Sequence, residues 1–125
     1  MATIGTVAAG EPAETESLFE RVDLNEFVTN GSEDVFMIRA DGDSMETEIK
    51  SGDWMIVNRA LQARNGDKIL ACVGNSYMVK IFASNKSGLH LVSSNGKYAP
   101  RSITKRDNFV IFGVVTHVLH TVKKI

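Results

Sequence analysis

Apolar residues in this chain occur in short runs separated by turn-forming residues, and most runs lack the spacing of an amphipathic helix. The two residues Gly74 and Asn75 predict a tight hairpin between two of these runs. A short helix is predicted only where Asp23 is followed by Glu26, and it should end at Asn30. The predicted strands are residues 35–39, 54–57, 68–73, 77–82, 89–92 and 109–119. The pattern therefore predicts a mainly β fold.

The longest apolar run, residues 109–119, is rich in β-branched residues and is interrupted by Gly113, which predicts a bend or bulge. An exposed sheet edge of this character would promote association between chains. We therefore expect a homodimer that uses residues near 109–119. The alternative is that this strand is central in its own sheet.

Residues 1–17 differ from the rest of the chain, because the acidic stretch around Pro12 has no apolar period. We expect a flexible N-terminal arm over 1–17 and a single domain over 18–125. The small residues at 7–10 would ordinarily be a frayed terminus.

The composition of the chain argues against several classes of function. The chain has 125 residues, enough for one modest core, and its net charge of −1 gives no electrostatic case for direct nucleic-acid binding. No apolar run is long enough to cross a membrane, and residues 1–10 lack the basic start and long apolar run that are typical of a signal peptide. The single cysteine, Cys72, excludes an internal disulfide, so we expect a cytoplasmic location. We expect no cofactor and no metal, since His117 and His120 would point to opposite faces of a strand.

Two residues suggest chemistry. Ser44 lies in a bend rich in glycine and aspartate, where nearby backbone N–H groups, those of residues 43–45, are candidates for an oxyanion site. On a strand, Lys80 shares a face with Met78 and Phe82, and desolvation there would lower its pKa and make it a base. We therefore consider a Ser44–Lys80 dyad. Taken singly, a serine in a turn is more often a turn former, and a lysine in a hairpin is more often solvent-facing.

A set of motifs spread along the chain resembles the LexA/UmuD family of self-cleaving serine peptidases (peptidase S24 type), and its UmuD-like members above all. The similarity covers about residues 9 to 120. The motifs that carry it are residues 20–25, 42–45, 52–57, 65–67, 77–82, 98–100 and 112–118.

The resemblance implies Ser44 as nucleophile, Lys80 as general base and self-cleavage between Ala9 and Gly10. It implies a strongly bent sheet or partial barrel like the LexA C-terminal domain. The implied partners are a RecA filament on single-stranded DNA, as co-protease in the SOS response, and a UmuC-type error-prone polymerase for translesion synthesis. The chain differs from the family in its short arm, and we expect no DNA-binding domain of the LexA type before it.

Two other interpretations stay open. In one, the protein is a non-catalytic β dimer that serves as an adaptor for a polymerase or a filament. In the other, it is a peptidase domain related to phage or plasmid repressors of the LexA type.

Overall fold

The computed structural model of the protein describes residues 21–43, 45–46 and 48–125. The chain divides into two units, one ending at Gly31 and one beginning at Ser32, and each is described separately. The predicted boundary between an arm over 1–17 and a domain over 18–125 lies outside the described residues and stays a prediction.

In the first unit, the predicted helix is confirmed as α1 (Leu24–Thr29). The carboxylate of Asp23 accepts hydrogen bonds from the backbone N–H groups of Asn25 at 3.0 Å and Glu26 at 3.3 Å. It therefore satisfies donors that have no partner inside the helix. Asn30 ends the helix in a left-handed conformation with φ of 49°.

The second unit is an open, seven-stranded antiparallel sheet, which confirms the mainly β class. Its order is β1-β2-β7-β3-β4-β5-β6. All six predicted strands are present, and a short one, β6, was not predicted. The strands are β1 (Val35–Arg39), β2 (Trp54–Asn58), β3 (Lys68–Val73), β4 (Ser76–Asn85), β5 (Gly88–Val92), β6 (Arg101–Ile103) and β7 (Phe109–Leu119).

The long strand β7 is not at an edge of the sheet. It pairs with β3 from Phe109 to Val114 and with β2 from Val114 to Leu119. The expectation of an exposed edge strand is therefore wrong, and the alternative of a central strand is correct. The argument that an open edge at β7 requires a homodimer does not hold, and the homodimer stays a proposal.

The predicted irregularity at Gly113 is confirmed. The pairing of β7 with β3 shifts register between Gly113 and Ile111. A Cβ atom added to Gly113 would lie 2.7 Å from Val57 Cγ1 and 3.0 Å from the Asn58 carbonyl oxygen. Glycine is required here because β2 approaches the backbone of β7 so closely.

Successive residues of β3 and β4 supply two different hydrophobic clusters. Leu70 belongs to the first cluster, against which Val79 and Ile81 pack. Ile69 belongs to the second, against which Met78 and Phe82 pack. This confirms the alternation predicted for β4 and puts Lys80 on the face of the second cluster, opposite Ile69 in the ladder. Among the described residues, no helix is long and apolar enough to span a membrane.

Candidate active site

The loop between β1 and β2, residues 40–53, contains the predicted nucleophile and is closed at its base by the backbone. The N–H of Ala40 donates to the Asp53 carbonyl at 2.7 Å, and the N–H of Gly52 donates to the Ala40 carbonyl at 2.8 Å. The Asp53 side chain is buried and accepts from the Lys50 N–H at 3.0 Å. We call residues 40–53 the site loop.

We call Asp43, Met45 and Glu46 the tip of the site loop, and Met45 anchors it to the core. Its side chain is buried together with Ile49 and Met55 in the first cluster, and its carbonyl accepts from the Ile49 N–H at 2.8 Å. Ser44 and Thr47 lie outside the described residues. The position of the tip is therefore known from Asp43 and Met45, which flank Ser44 in the chain.

Lys80 has the surroundings that the sequence predicted. Its side chain is partly buried, and Nζ donates a hydrogen bond to Ser93 Oγ at 2.7 Å. The Nζ atom also lies 5.3 Å from the centre of the Tyr98 ring. Burial lowers the pKa of Lys80, because water is excluded from around the ammonium ion. A larger fraction of this lysine is therefore neutral at a given pH than for a lysine in water.

Residues 93–98, which belong to the connection between β5 and β6, contact the tip of the site loop. Asn95 Nδ2 donates to the Asp43 carbonyl at 2.9 Å. The Tyr98 hydroxyl donates to the Asp43 carboxylate, and Lys97 Nζ lies 3.4 Å from the same carboxylate. Ser94 Oγ donates to the Glu46 carbonyl at 3.3 Å. We call residues 93–98 the bridging segment.

Sequence reasoning did not assign a role to the bridging segment. The available signals were the turn residues Asn95 and Gly96 and the presence of Tyr98 among the motifs that carry the family resemblance. Neither signal identifies Asp43 as the contact, because Tyr98 and Asp43 are 55 residues apart in the chain.

Asp43 and Tyr98 shift each other's ionisation. The hydrogen bond from Tyr98 is the largest cause that lowers the pKa of Asp43, and the Lys97 ammonium acts in the same direction. The same hydrogen bond, with the nearby negative charge, raises the pKa of Tyr98. The carboxylate therefore stays ionised to a lower pH than a free aspartate, and the phenol stays a hydrogen-bond donor to a higher pH than a free tyrosine.

A cleft of about 520 Å³ lies beside these groups. Lys80, Tyr98 and Gly42 line it together with apolar side chains from five strands, Ile38, Met55, Leu70, Met78, Val79 and Leu91. A few polar groups in a mostly apolar concavity are typical of a ligand site. The charged residues Arg39, Asp41 and Arg101 also line the cleft.

The described residues contain no group of three or more His, Cys, Asp or Glu side chains that could hold a metal ion. Of the two histidines considered in the sequence, His117 Nδ1 lies 2.8 Å from Thr116 Oγ1. His120 Nδ1 lies 2.6 Å from the Asp53 carboxylate, at the base of the site loop.

The structure thus brings Lys80 and the chain on either side of Ser44 into contact with one segment. Ala9 and Gly10 lie outside the described residues, as does Ser44. The cleavage bond, the dyad and the oxyanion site formed by the N–H groups of residues 43–45 therefore stay proposals.

Comparison with known proteins adds evidence from outside the chain. A family described as Peptidase S24-like matches residues 2–116. Protein ImpA of Salmonella typhimurium is 31% identical over 120 residues, which cover 94% of this chain and 81% of that protein. The LexA repressor of Acetivibrio thermocellus is 37% identical over 118 residues, covering 92% of this chain and 54% of the repressor. The LexA repressor of Desulfatibacillum aliphaticivorans is 31% identical, covering 95% and 60%. The chain therefore spans only about half of the length of these repressors.

Proposed function

The chain belongs to the Peptidase S24-like family, and from this premise we propose that it is a serine peptidase that cuts its own chain between Ala9 and Gly10. The observation that carries the proposal is the environment of Lys80. This lysine is partly buried, its pKa is lowered by that burial, and Tyr98 is in contact both with it and with Asp43, the neighbour of Ser44.

The proposed chemistry is acyl transfer. Neutral Lys80 takes the proton of Ser44 Oγ as the oxygen attacks the carbonyl carbon of Ala9. The negative charge that develops on the carbonyl oxygen is stabilised by backbone N–H groups of residues 43–45. Collapse of this intermediate breaks the bond to Gly10, whose amine leaves with the proton from Lys80. Water, deprotonated by Lys80, then hydrolyses the ester on Ser44.

The cleft supports a self-cleaving substrate of small residues. Residues 7–10 are Val, Ala, Ala and Gly, which allow the backbone to come close to a nucleophile at a mostly apolar surface. Since enzyme and substrate belong to the same kind of chain, the rate depends on the fraction of time that this stretch occupies the cleft. The proposal applies equally to an arm from the same chain and to one from a partner subunit.

The partners proposed for the protein come from the resemblance to UmuD-like proteins. We propose a homodimer whose cleavage is accelerated by a RecA filament on single-stranded DNA, and which regulates a UmuC-type translesion polymerase in the cytoplasm during the SOS response. Sedimentation at micromolar concentration is expected to give a dimer, and monomer alone would contradict that part. A pull-down is expected to retain the polymerase and the filament, and binding to neither would contradict the role in DNA repair.

Intact-mass spectrometry tests the peptidase directly. Purified protein is incubated from neutral to strongly alkaline pH, and the fragments of residues 1–9 and 10–125 are quantified. Cleavage should accelerate as pH rises, because only neutral Lys80 accepts the proton. Ser44→Ala and Lys80→Ala should each slow cleavage by at least about a hundredfold.

Each other outcome has a definite meaning. Wild-type protein that remains intact at every pH, even with RecA, ATP and single-stranded DNA, would favour the non-catalytic adaptor. Cleavage that survives both substitutions would indicate a contaminating protease and would contradict the dyad. Cleavage at a different bond would leave the dyad in place and correct the site.

A further inference from the structure

The bridging segment contacts both Lys80 and the tip of the site loop, the two parts of the proposed site. At one end, Ser93 accepts the hydrogen bond from Lys80. At the other end, Asn95 and Tyr98 hold Asp43, while Ser94 reaches the Glu46 carbonyl. The segment thus connects β4 to the tip of the site loop, two elements that are far apart in sequence.

Within the segment, the Tyr98 side chain is the one that meets both groups. Its hydroxyl donates to the Asp43 carboxylate, and its ring lies under Lys80 Nζ at 5.3 Å. An ammonium ion within about 6 Å of a ring centre is attracted to the negative face of the aromatic system. One rigid side chain therefore fixes the residue before Ser44 and also favours the charged form of Lys80.

The two ends of Tyr98 have separable consequences. The hydroxyl acts on the geometry of the tip, because a hydrogen bond to a carboxylate is among the stronger ones in proteins. The ring acts on the charge of Lys80, because it stabilises the ammonium ion and not the neutral amine. Burial of Lys80 has the opposite effect, because it favours the neutral amine and lowers the pKa.

We propose that Tyr98 is a positioning residue for self-cleavage, with its hydroxyl holding the turn that carries Ser44 and its ring adjusting the ionisation of Lys80. This rests on the proposed function and adds a residue to it. Tyr98 is assigned no proton transfer in the reaction, since its hydroxyl is already engaged by the Asp43 carboxylate.

The first test compares two substitutions of Tyr98 by rate–pH profile in the full chain. Tyr98→Phe keeps the ring and removes the hydroxyl, so the maximal cleavage rate should fall by about tenfold to a hundredfold while the midpoint of the profile stays unchanged. Tyr98→Leu removes both, so the rate should fall and the midpoint should also move to lower pH by about half a unit. The other charged groups that line the cleft, Arg39, Asp41 and Arg101, are the same in both variants, as is Lys97 beside Asp43.

A double-substitution cycle tests whether the hydroxyl acts through Asp43. If it does, Asp43→Ala with Tyr98→Phe should cleave no more slowly than Asp43→Ala alone. Additive losses would overturn the positioning role, and so would a wild-type rate for Tyr98→Phe. Thermal unfolding of each variant separates these results from simple loss of the fold.

A measurement without cleavage separates this inference from the proposed function. Two proteins that cannot cleave are compared, the Ser44→Ala variant and the same variant with Tyr98→Leu added. In each, the Nζ resonance of Lys80 is followed by NMR as the pH is raised. The titration midpoint should fall by about half a unit in the leucine variant. An unchanged midpoint would overturn the role of the ring even if wild-type protein cleaves. A wild-type chain that never cleaves would overturn the peptidase while leaving this shift measurable.

Discussion

The base and the tip of the site loop are held in different ways, and each contains an aspartate whose pKa is lowered. At the base, Asp53 is only 5% exposed and is hydrogen-bonded by the Lys50 N–H and by His120. At the tip, the Asp43 side chain is 37% exposed and its partners are side chains of the bridging segment. The His120 hydrogen bond is the largest cause at the base, and the Tyr98 hydrogen bond is the largest cause at the tip.

This difference separates stability from activity. The base is part of the sheet, since Asp53 immediately precedes β2 and its carbonyl pairs with Ala40 after β1. Asp43, at the tip, is held by long-range contacts with Asn95 and Tyr98, which lie outside the strands, whereas Met45 beside it belongs to the core. Substitution of Asp53 should therefore destabilise the protein, while substitutions that remove the contact between Asp43 and Tyr98 should slow the proposed cleavage in a folded protein.

The largest loss of stability is expected for Asp53→Ala. The substitution removes the acceptor of the part-buried Lys50 N–H, which is costly to leave unpaired, and also that of His120, whose ring is 56% exposed and can bond to water. The free energy of unfolding from urea denaturation at pH 7 measures the loss. A variant as stable as wild type would contradict the structural role of the base.

The lowered pKa of Asp53 also predicts that the free energy of unfolding depends on pH in the acid range. Its pKa is lower in the folded protein than the value of about 3.9 in an unfolded chain, so its ionised form contributes stability above about pH 4. That contribution should be lost as pH falls through the folded pKa. The difference in unfolding free energy between wild type and Asp53→Asn should therefore shrink on acidification, and a constant difference would contradict the assignment.

A smaller loss, of about 1–3 kcal/mol, is expected for Gly113→Ala. The added methyl group would press on Val57 and on the Asn58 backbone, which cannot move away without disturbing the pairing of β2 with β7. Gly96→Ala is the matched control, because a Cβ atom at Gly96 meets nothing within 4 Å. Urea denaturation of the two variants gives the comparison, and equal stabilities would show that the close approach at Gly113 is unimportant.

Local patterns predicted most of the fold, and contacts across the chain account for what was missed. The hairpin at Gly74 and Asn75 and the bulge at Gly113 follow from residues that are adjacent in sequence. The strand β6 has only three residues, too few for an alternating pattern. The central place of β7 depends on partners about 40 and 60 residues away, which no local pattern specifies.

The candidate site divides in the same way. The surroundings of Lys80 could be predicted because its neighbours on the face of β4, Met78 and Phe82, are two residues away. The contacts of Asp43 with Tyr98 and of Asp53 with His120 join residues 55 and 67 positions apart. Such pairs are fixed by tertiary packing, so sequence reasoning alone could not find them.

The smallest effect is expected for Lys97→Ala, which separates charge from geometry at the tip. Lys97 Nζ lies 3.4 Å from the Asp43 carboxylate, but its side chain is 74% exposed, so water and salt screen the pair. The Tyr98 hydrogen bond to the same carboxylate remains in this variant. The cleavage rate should therefore stay within about twofold of wild type, and the rate–pH midpoint should not move. A loss as large as that of Tyr98→Phe would mean that the charge near Asp43, and not its fixed orientation, controls the tip.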